Sequence, residues 1–172
     1  MDDLLTFDKL VEALIRRESS GRADAISDGG AVGLMGIMPK DFMQSPRRNV
    51  PSIFDVARDA GFEIEPEGET KDMAIQLLKN PDLNMAVGRP YLRELMDVFD
   101  NDTEGSLTAY NAGVKGYVDA GSSAANMGTR EAREYSTKLS KDYKDIFGSP
   151  LPDNLGTLTS PRPRRRPRGL LD

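Results

Sequence analysis

Cysteine and histidine are both absent from the 172-residue sequence. Without cysteine the chain can form neither disulfides nor thiolate metal sites. Without histidine it has no Ser-His nucleophile activation and lacks the commonest transition-metal ligand. The remaining catalytic groups are mainly carboxylates, lysine and tyrosine, so we predict chemistry that uses no metal and no other cofactor.

Long apolar runs are also missing. No stretch approaches the roughly 18 apolar residues of a membrane-spanning helix. The sequence begins Met-Asp-Asp-Leu-Leu, which has acids where a signal peptide needs basic residues. We therefore expect no membrane span and no export by the usual signal. The length is that of one domain with a substantial core.

Charge is divided unevenly along the chain. The formal net charge is -5, yet residues 161–172 hold five arginines and one aspartate. Taking these from the 23 basic and 28 acidic residues leaves 18 and 27, an acidic body of charge -9. The proline- and arginine-rich residues 148–172 predict an extended tail. Its arginines could bind phosphates, an anionic wall polymer or an acidic protein, or could simply aid solubility, and they are too few to favour DNA.

Apolar periodicity predicts a mostly α-helical protein. Candidate N-caps are Thr6, Ser52, Thr70 and Thr103, and the last helix is expected to begin at Thr129. A helix from Asp82 to Phe99 should bend or divide because of Pro90. Within it, Asn84 is predicted to be a packing hydrogen-bond partner rather than a catalyst.

Glu18 is the candidate catalytic acid. It follows Leu14 by four residues, so it continues the apolar face of the first helix. A carboxyl group held against apolar surface should have a raised pKa and could donate a proton at neutral pH. The alternative is a carboxylate that ends the helix and reaches water. A glycine-rich segment follows, in which residues 31–38 read as a small-residue helix stopped by Pro39.

Four motifs occur in order between residues 18 and 135. They are Glu-Ser followed by Gly-Ala-x-Gly-Leu-Met-x-Ile-Met-Pro, then Asn-Pro-Asp-Leu-Asn with Tyr-Leu, then Ala-Tyr-Asn-Ala-Gly, and finally Glu-x-x-x-Tyr. Together they resemble the soluble lytic transglycosylases, which share a lysozyme-like fold with goose-type lysozymes. The resemblance implies a lysozyme-like helical domain over residues 4–147, with a variable insertion at 40–79 and the extended tail at 148–172.

The resemblance also implies roles for particular residues. Glu18 would be the catalytic acid, and Asn111 would lie in the sugar-binding groove near it. Substrate-binding positions by this analogy are Ser19, Met35, Ala109, Tyr110, Asn111 and Tyr135. From spacing alone, Tyr110 and Tyr135 could equally be core residues, and Asn111 could satisfy loose helix carbonyls.

The reaction implied is cleavage of peptidoglycan glycan strands at the MurNAc-GlcNAc bond. In the resembling family one glutamate serves first as acid and then as base, and the sugar's own 6-hydroxyl attacks to leave a 1,6-anhydro end. A lysozyme-type hydrolase would admit water instead, and Asp24 or Asp28 could help to hold it, although both are better placed to cap turns. Where the family usually has glutamine this chain has Gly36, which we expect to weaken substrate affinity.

The charge pattern and the missing signal suggest a setting. Both features are similar to those of the transglycosylases in tailed phage particles, which open the host wall locally during genome entry. Such a virion protein would act in the host periplasm and could dock onto other virion proteins through its tail. Alternatives are a catalytically silent virion protein and a bacterial wall-remodelling enzyme exported by another route.

Overall fold

The computed structural model describes residues 2–47 and 49–154, with side chains from residue 6 onward. In this part of the chain the regular structure is helical, and β-pairing is limited to isolated bridges, which confirms the predicted mostly α class. The helices are α1 (Asp2–Ser19), α2 (Pro39–Phe42), α3 (Ile53–Asp59), α4 (Lys71–Leu78), α5 (Pro81–Val98), α6 (Thr103–Ala112), α7 (Val114–Asp119) and α8 (Arg130–Phe147), with short 3-10 turns at Pro66–Gly68 and Ala124–Asn126.

The chain forms two compact units. One comprises residues 10–94, and the other comprises residues 1–9 together with the chain from residue 95 onward. Helices α1 and α5 contribute residues to both units. We call them the N-terminal unit (10–94) and the C-terminal unit and describe each by itself.

Helix α1 carries the predicted apolar face. Five residues of this helix are almost completely buried: Phe7, Leu10, Val11, Ala13 and Leu14. The helix begins at Asp2, so Thr6 lies inside it and the predicted cap there is wrong. The chain before Thr6 is already helical, which leaves no free N-terminal amide for the threonine hydroxyl to cap.

The glycine-rich segment is a hairpin, and the helix predicted over residues 31–38 is wrong. The N–H of Val32 donates to the carbonyl of Ile37 at 2.9 Å, and the N–H of Ile37 donates back at 3.0 Å. Gly33 and Gly36 lie between them with φ of +77° and +62°. Such left-handed backbone is excluded from a right-handed helix and is readily adopted by glycine. Pro39 is the first residue of α2 rather than the end of a helix, a position that suits its fixed φ.

Asn84 on α5 holds this hairpin, defined as residues 32–37. Its side-chain oxygen accepts the N–H of Met35 at 2.8 Å. Its amide nitrogen donates to the carbonyls of Val32 and Leu78, both at 2.9 Å. The residue is completely buried, and a Cβ at Gly33 would lie only 2.9 Å from its Cγ. The prediction that Asn84 is a packing hydrogen-bond partner is confirmed.

Residues 40–79 form α2, α3 and α4 of the N-terminal unit, in which α4 packs against both α2 and α3. The predicted caps are confirmed, because Ser52 accepts the N–H of Asp55 and Thr70 accepts that of Met73. Arg58 joins the end of α3 to the loop after it, bonding the carbonyl of Ile64 and the carboxylate of Glu69. Met73 on α4 is 40% exposed.

Helix α5 runs without interruption through Pro90, so the division into two helices does not occur. An interior proline leaves the carbonyl four residues earlier without its helical partner. Here that carbonyl belongs to Ala86, which lies on an exposed part of the helix where water can bind it. The cost of the proline is reduced accordingly.

In the C-terminal unit α6 packs against α7 and α8. Its N-cap is Asp102, which accepts the N–H of Gly105 at 2.8 Å, and the prediction of Thr103 is wrong. Thr103 instead binds the chain beyond α8, donating its hydroxyl to the carbonyl of Pro152 at 2.8 Å and its N–H to that of Asp153 at 3.1 Å. Helix α8 starts where it was predicted to, with Thr129 as its N-cap, and its C-cap is Gly148 with φ of +72°.

The first residues of the predicted extended tail are therefore part of the folded unit. Leu151 is buried, and Asn154 forms an antiparallel bridge with Asp102. The boundary expected at residue 147 accordingly falls several residues too early, because the contacts of Thr103 and Leu151 lie beyond α8. Residues 155–172, with the five arginines, are outside the described part.

We expect a chain ending at residue 148 to be less stable than one ending at residue 154. Burial of one leucine side chain contributes about 1.5–3 kcal/mol, and the bonds of Thr103 are lost as well. Both chains lack residues 155–172, so that segment cannot contribute to the difference. Urea unfolding followed by circular dichroism measures it, and equal midpoints would contradict the docking of residues 151–154.

Replacing Asn84 should destabilise the fold strongly. Asn84→Ala leaves the Met35 N–H and the Leu78 carbonyl without this partner and removes one of the two donors to the Val32 carbonyl, and each buried unsatisfied group costs about 1–3 kcal/mol. Asn84→Asp should be similarly harmful, because a carboxylate would face the carbonyls of Val32 and Leu78. Asn126→Ala, at an exposed site with one bond to Ala120, is the matched control. Thermal melts of the three variants test this, and a small loss for Asn84→Ala would contradict it.

Candidate functional site

Glu18 lies at the end of α1, where the chain turns sharply. It is the second-last residue of the helix, and Ser20 and Gly21 follow with φ of +54° and +79°. The side chain is half-buried, as the apolar spacing predicted. The helix thus presents this carboxyl group at a fixed point beside the hairpin.

Ser19 joins the end of α1 to the hairpin. Its hydroxyl lies 3.0 Å from the carbonyl oxygen of Ile15 and 2.9 Å from that of Leu34, and it accepts the N–H of Gly21 at 3.2 Å. The residue is only 3% exposed. Ser19 was predicted to bind substrate, but in this structure its hydroxyl is committed to backbone groups. Its effect is to fix the position of the neighbouring Glu18.

The Glu18 carboxyl group lies directly over Gly36. A Cβ built on Gly36 would be 3.0 Å from Cδ and 3.2 Å from Cγ of Glu18, and closer still to Oε2. The approach to Oε2 is closer than real Cβ atoms essentially ever show, and the other two distances are tighter than most real Cβ contacts. Sequence reasoning noted Gly36 only as a missing glutamine and did not identify this contact. The available signal was a glycine in a turn next to the motif that carries the acid.

Met35 lies beneath this arrangement and is completely buried. Its side chain packs on α5, since a Cβ at Gly88 would lie 2.6 Å from its Sδ and 3.0 Å from its Cβ. With no exposed surface, the side chain cannot contact a sugar in this structure. The predicted substrate-binding role is therefore replaced by a packing role, in which Met35 and Asn84 hold the hairpin on α5.

The other predicted residues belong to the C-terminal unit. Tyr110 and Asn111 occupy the last turn of α6, just before Gly113 with φ of +79°, and both keep exposed surface. Ala109 is completely buried, so its predicted contact with substrate has no surface to act through. Tyr135 lies on α8 and is 4% exposed, which fits the core alternative. The structure leaves Tyr110 and Asn111 as the accessible pair of this group.

Tyr91, a residue of the second motif in the N-terminal unit, has a raised pKa. Burial raises the pKa of its phenol, with a further rise from Asp41 that Arg47 opposes. The ring packs edge-on against Phe42 with centroids 5.0 Å apart. Tyr91 therefore stays neutral through the physiological range.

Neither a metal-binding group of side chains nor a membrane-spanning helix is found among the described residues. Across residues 2–47 and 49–154, histidine, cysteine, aspartate and glutamate form no group of three that could hold a metal ion. Within the same part of the chain, no helix combines the length and apolar character needed to cross a membrane.

Two solved structures share this fold. One is an inactive Glu-to-Gln mutant of the lytic transglycosylase Slt from Pseudomonas aeruginosa, with a TM-score of 0.58, 22% identity and 85% of this chain covered. The other is the 70 kDa soluble lytic transglycosylase SLT70 from Escherichia coli, with a TM-score of 0.54, 23% identity and 87% covered. The matched region is 23% of each of those chains, so this chain spans about a quarter of their length.

These similarities agree with the fold class that the motifs implied. The chain also matches the family of the Transglycosylase SLT domain over residues 7–133, more than half of its length. That range contains Glu18, the hairpin, Asn84 and the last turn of α6, and it stops just before Tyr135. The chain therefore belongs to the Transglycosylase SLT domain family.

Proposed function

We propose that this protein is a peptidoglycan lytic transglycosylase in which Glu18 is the acid and then the base. The observation that carries the proposal is the half-buried Glu18 carboxyl group at the end of α1, seated on the hairpin inside the family match. The Pseudomonas aeruginosa structure with the same fold is described as inactive with glutamate changed to glutamine. Such a change removes a proton donor while keeping the size of the side chain.

The proposed reaction needs one carboxyl group and no water. Protonated Glu18 gives its proton to the glycosidic oxygen as the bond from that oxygen to C1 of MurNAc breaks. The carboxylate then takes the proton of the 6-hydroxyl of the same sugar while that oxygen bonds to C1. The products are a 1,6-anhydro-MurNAc end and a free GlcNAc hydroxyl, and Glu18 is again protonated.

For substrate binding we propose Tyr110 and Asn111, which keep exposed surface at the end of α6. An amide has both donors and an acceptor and suits an N-acetyl group or a sugar hydroxyl. Ser19 and Met35 are proposed to act indirectly, by fixing α1 and the hairpin. The alternative function is lysozyme-type hydrolysis of the same bond, in which water replaces the 6-hydroxyl.

We further propose that the protein works as a virion component that opens the host wall locally during genome entry. The support is the acidic body followed by an arginine-rich segment, which suits attachment to an acidic virion protein. In that setting the substrate is the peptidoglycan of the host. A silent structural protein remains the alternative in the same setting.

The products of purified protein on purified peptidoglycan test the reaction. Mass spectrometry should find anhydro-muropeptides with the wild-type protein, and Glu18→Gln should lower their release by about 10²–10⁴-fold, the usual contribution of general acid-base catalysis. Asp59→Asn, which changes an exposed acid at the end of α3, is the matched control and should keep activity.

Other products would contradict parts of this proposal. Reducing-end muropeptides would transfer the assignment to hydrolysis. Release of nothing by a folded wild-type protein would support the silent structural alternative. Equal activity of wild type and Glu18→Gln would exclude Glu18 as the acid.

The virion setting has its own test. The protein should copurify with intact phage particles banded by density and be missing from uninfected cells, as measured by quantitative proteomics. Its presence at equal abundance in uninfected cells would instead indicate a bacterial wall-remodelling enzyme.

A further inference from the structure

Among the left-handed glycines of the N-terminal unit, Gly33 faces Asn84 and the Leu78 carbonyl, and Gly36 faces Glu18. Gly21, Gly30 and Gly61 also have positive φ, but a Cβ built on any of them meets nothing within 4 Å. At Gly36 the three nearest atoms to such a Cβ all belong to the Glu18 side chain: Oε2, Cδ and Cγ. The nearest contact is therefore with the carboxyl end of the proposed catalytic acid.

The room for that carboxyl group exists because position 36 has no side chain. Any other residue would place its Cβ within 3.0 Å of Cδ and closer still to Oε2, so the Glu18 carboxyl group would have to shift. Movement of the helix end is opposed, since Ser19 binds the carbonyl of Leu34 at 2.9 Å. The hairpin is equally constrained, since Met35 bonds the buried Asn84 at 2.8 Å. Both sides of the contact are fixed, and the carboxyl group is the part that must yield.

We propose that Gly36 is a positioning residue that sets the location of the Glu18 carboxyl group. The proposal rests on the proposed function of Glu18. In this chain the glycine takes the place of the family's usual glutamine, and the acid occupies the space that a glutamine Cβ would need. Restoring glutamine should therefore displace the acid rather than recover a sugar contact.

Kinetics on soluble, uncrosslinked glycan strands separate the two roles of position 36. Gly36→Ala and Gly36→Gln should each lower kcat on the order of 10²-fold, because displacement of a catalytic group by about 1 Å has effects of that size. KM should change little, since Gly36 itself supplies no side-chain contact to substrate. A lower KM with kcat maintained in Gly36→Gln would overturn the proposal and favour a missing sugar contact.

Backbone strain needs its own control. Gly61→Ala places alanine at φ of +89° with nothing within 4 Å of its Cβ, and it should keep wild-type kcat. Gly36→Asn adds a residue that tolerates left-handed backbone but still carries a Cβ. It should lose kcat as Gly36→Ala does. Wild-type kcat in Gly36→Asn would show that strain alone explains the alanine result and would overturn the proposal.

A double-mutant cycle in stability tests the contact without any catalytic assay. Glu18→Ala removes Cγ, Cδ and Oε2, so Gly36→Ala should lower the melting temperature less in that background than in the wild type, by roughly 3 °C. Gly61→Ala should give equal shifts in both backgrounds. Equal shifts for Gly36→Ala would overturn the proposed contact. If instead the coupling is present but the wild type releases no product, the proposed function fails while the geometry of Gly36 and Glu18 stands.

Discussion

The buried side chain of Asn84 is the interaction on which the N-terminal unit depends. One amide joins three segments: the hairpin through Val32 and Met35, the end of α4 through Leu78, and α5, which carries it. The hairpin has two backbone bonds of its own between Val32 and Ile37, so most of its placement must come from elsewhere. Because Asn84 is completely buried, breaking any of these bonds leaves a polar group that water cannot reach. The position of the hairpin, and with it the surface under Glu18, follows from that constraint.

Several residues of the sequence motifs act as supports. Ser19 binds backbone carbonyls, and Met35 packs on Gly88, and both are buried. A general acid must be held to a fraction of an ångström, so the residues next to it are constrained as tightly as the acid itself. In the proposed mechanism, a short sequence motif therefore combines one reacting group with several residues that hold it in place. Residues proposed to contact substrate differ from supporting residues in solvent exposure. In the C-terminal unit Tyr110 and Asn111 are partly exposed, whereas Ala109 is buried.

Gly36 shows how a departure from a family pattern can be balanced by its surroundings. At this position, where the motif resemblance leads us to expect glutamine, the space beside the glycine holds the Glu18 carboxyl group. Left-handed backbone at this position also favours glycine over other residues. The motif alone predicts that glycine at position 36 weakens the site. The packing shows that this glycine leaves room for the Glu18 carboxyl group.

Sequence alone determined the helical class, the place of Glu18 at the end of α1, the caps Ser52 and Thr70, and the start of α8 next to Thr129, because each depends on residues within one or two turns. The predictions from sequence were wrong where contacts between distant residues determine the structure. The hairpin is held by Asn84, 49 positions from Met35, and Thr103 leaves its expected capping role for a carbonyl 49 positions away at Pro152. The burial of Met35 and the contact between Glu18 and Gly36 likewise arise only when separate segments meet. Helix formation and capping depend on short stretches of sequence, whereas tertiary structure determines the hydrogen-bond partners of a buried polar group.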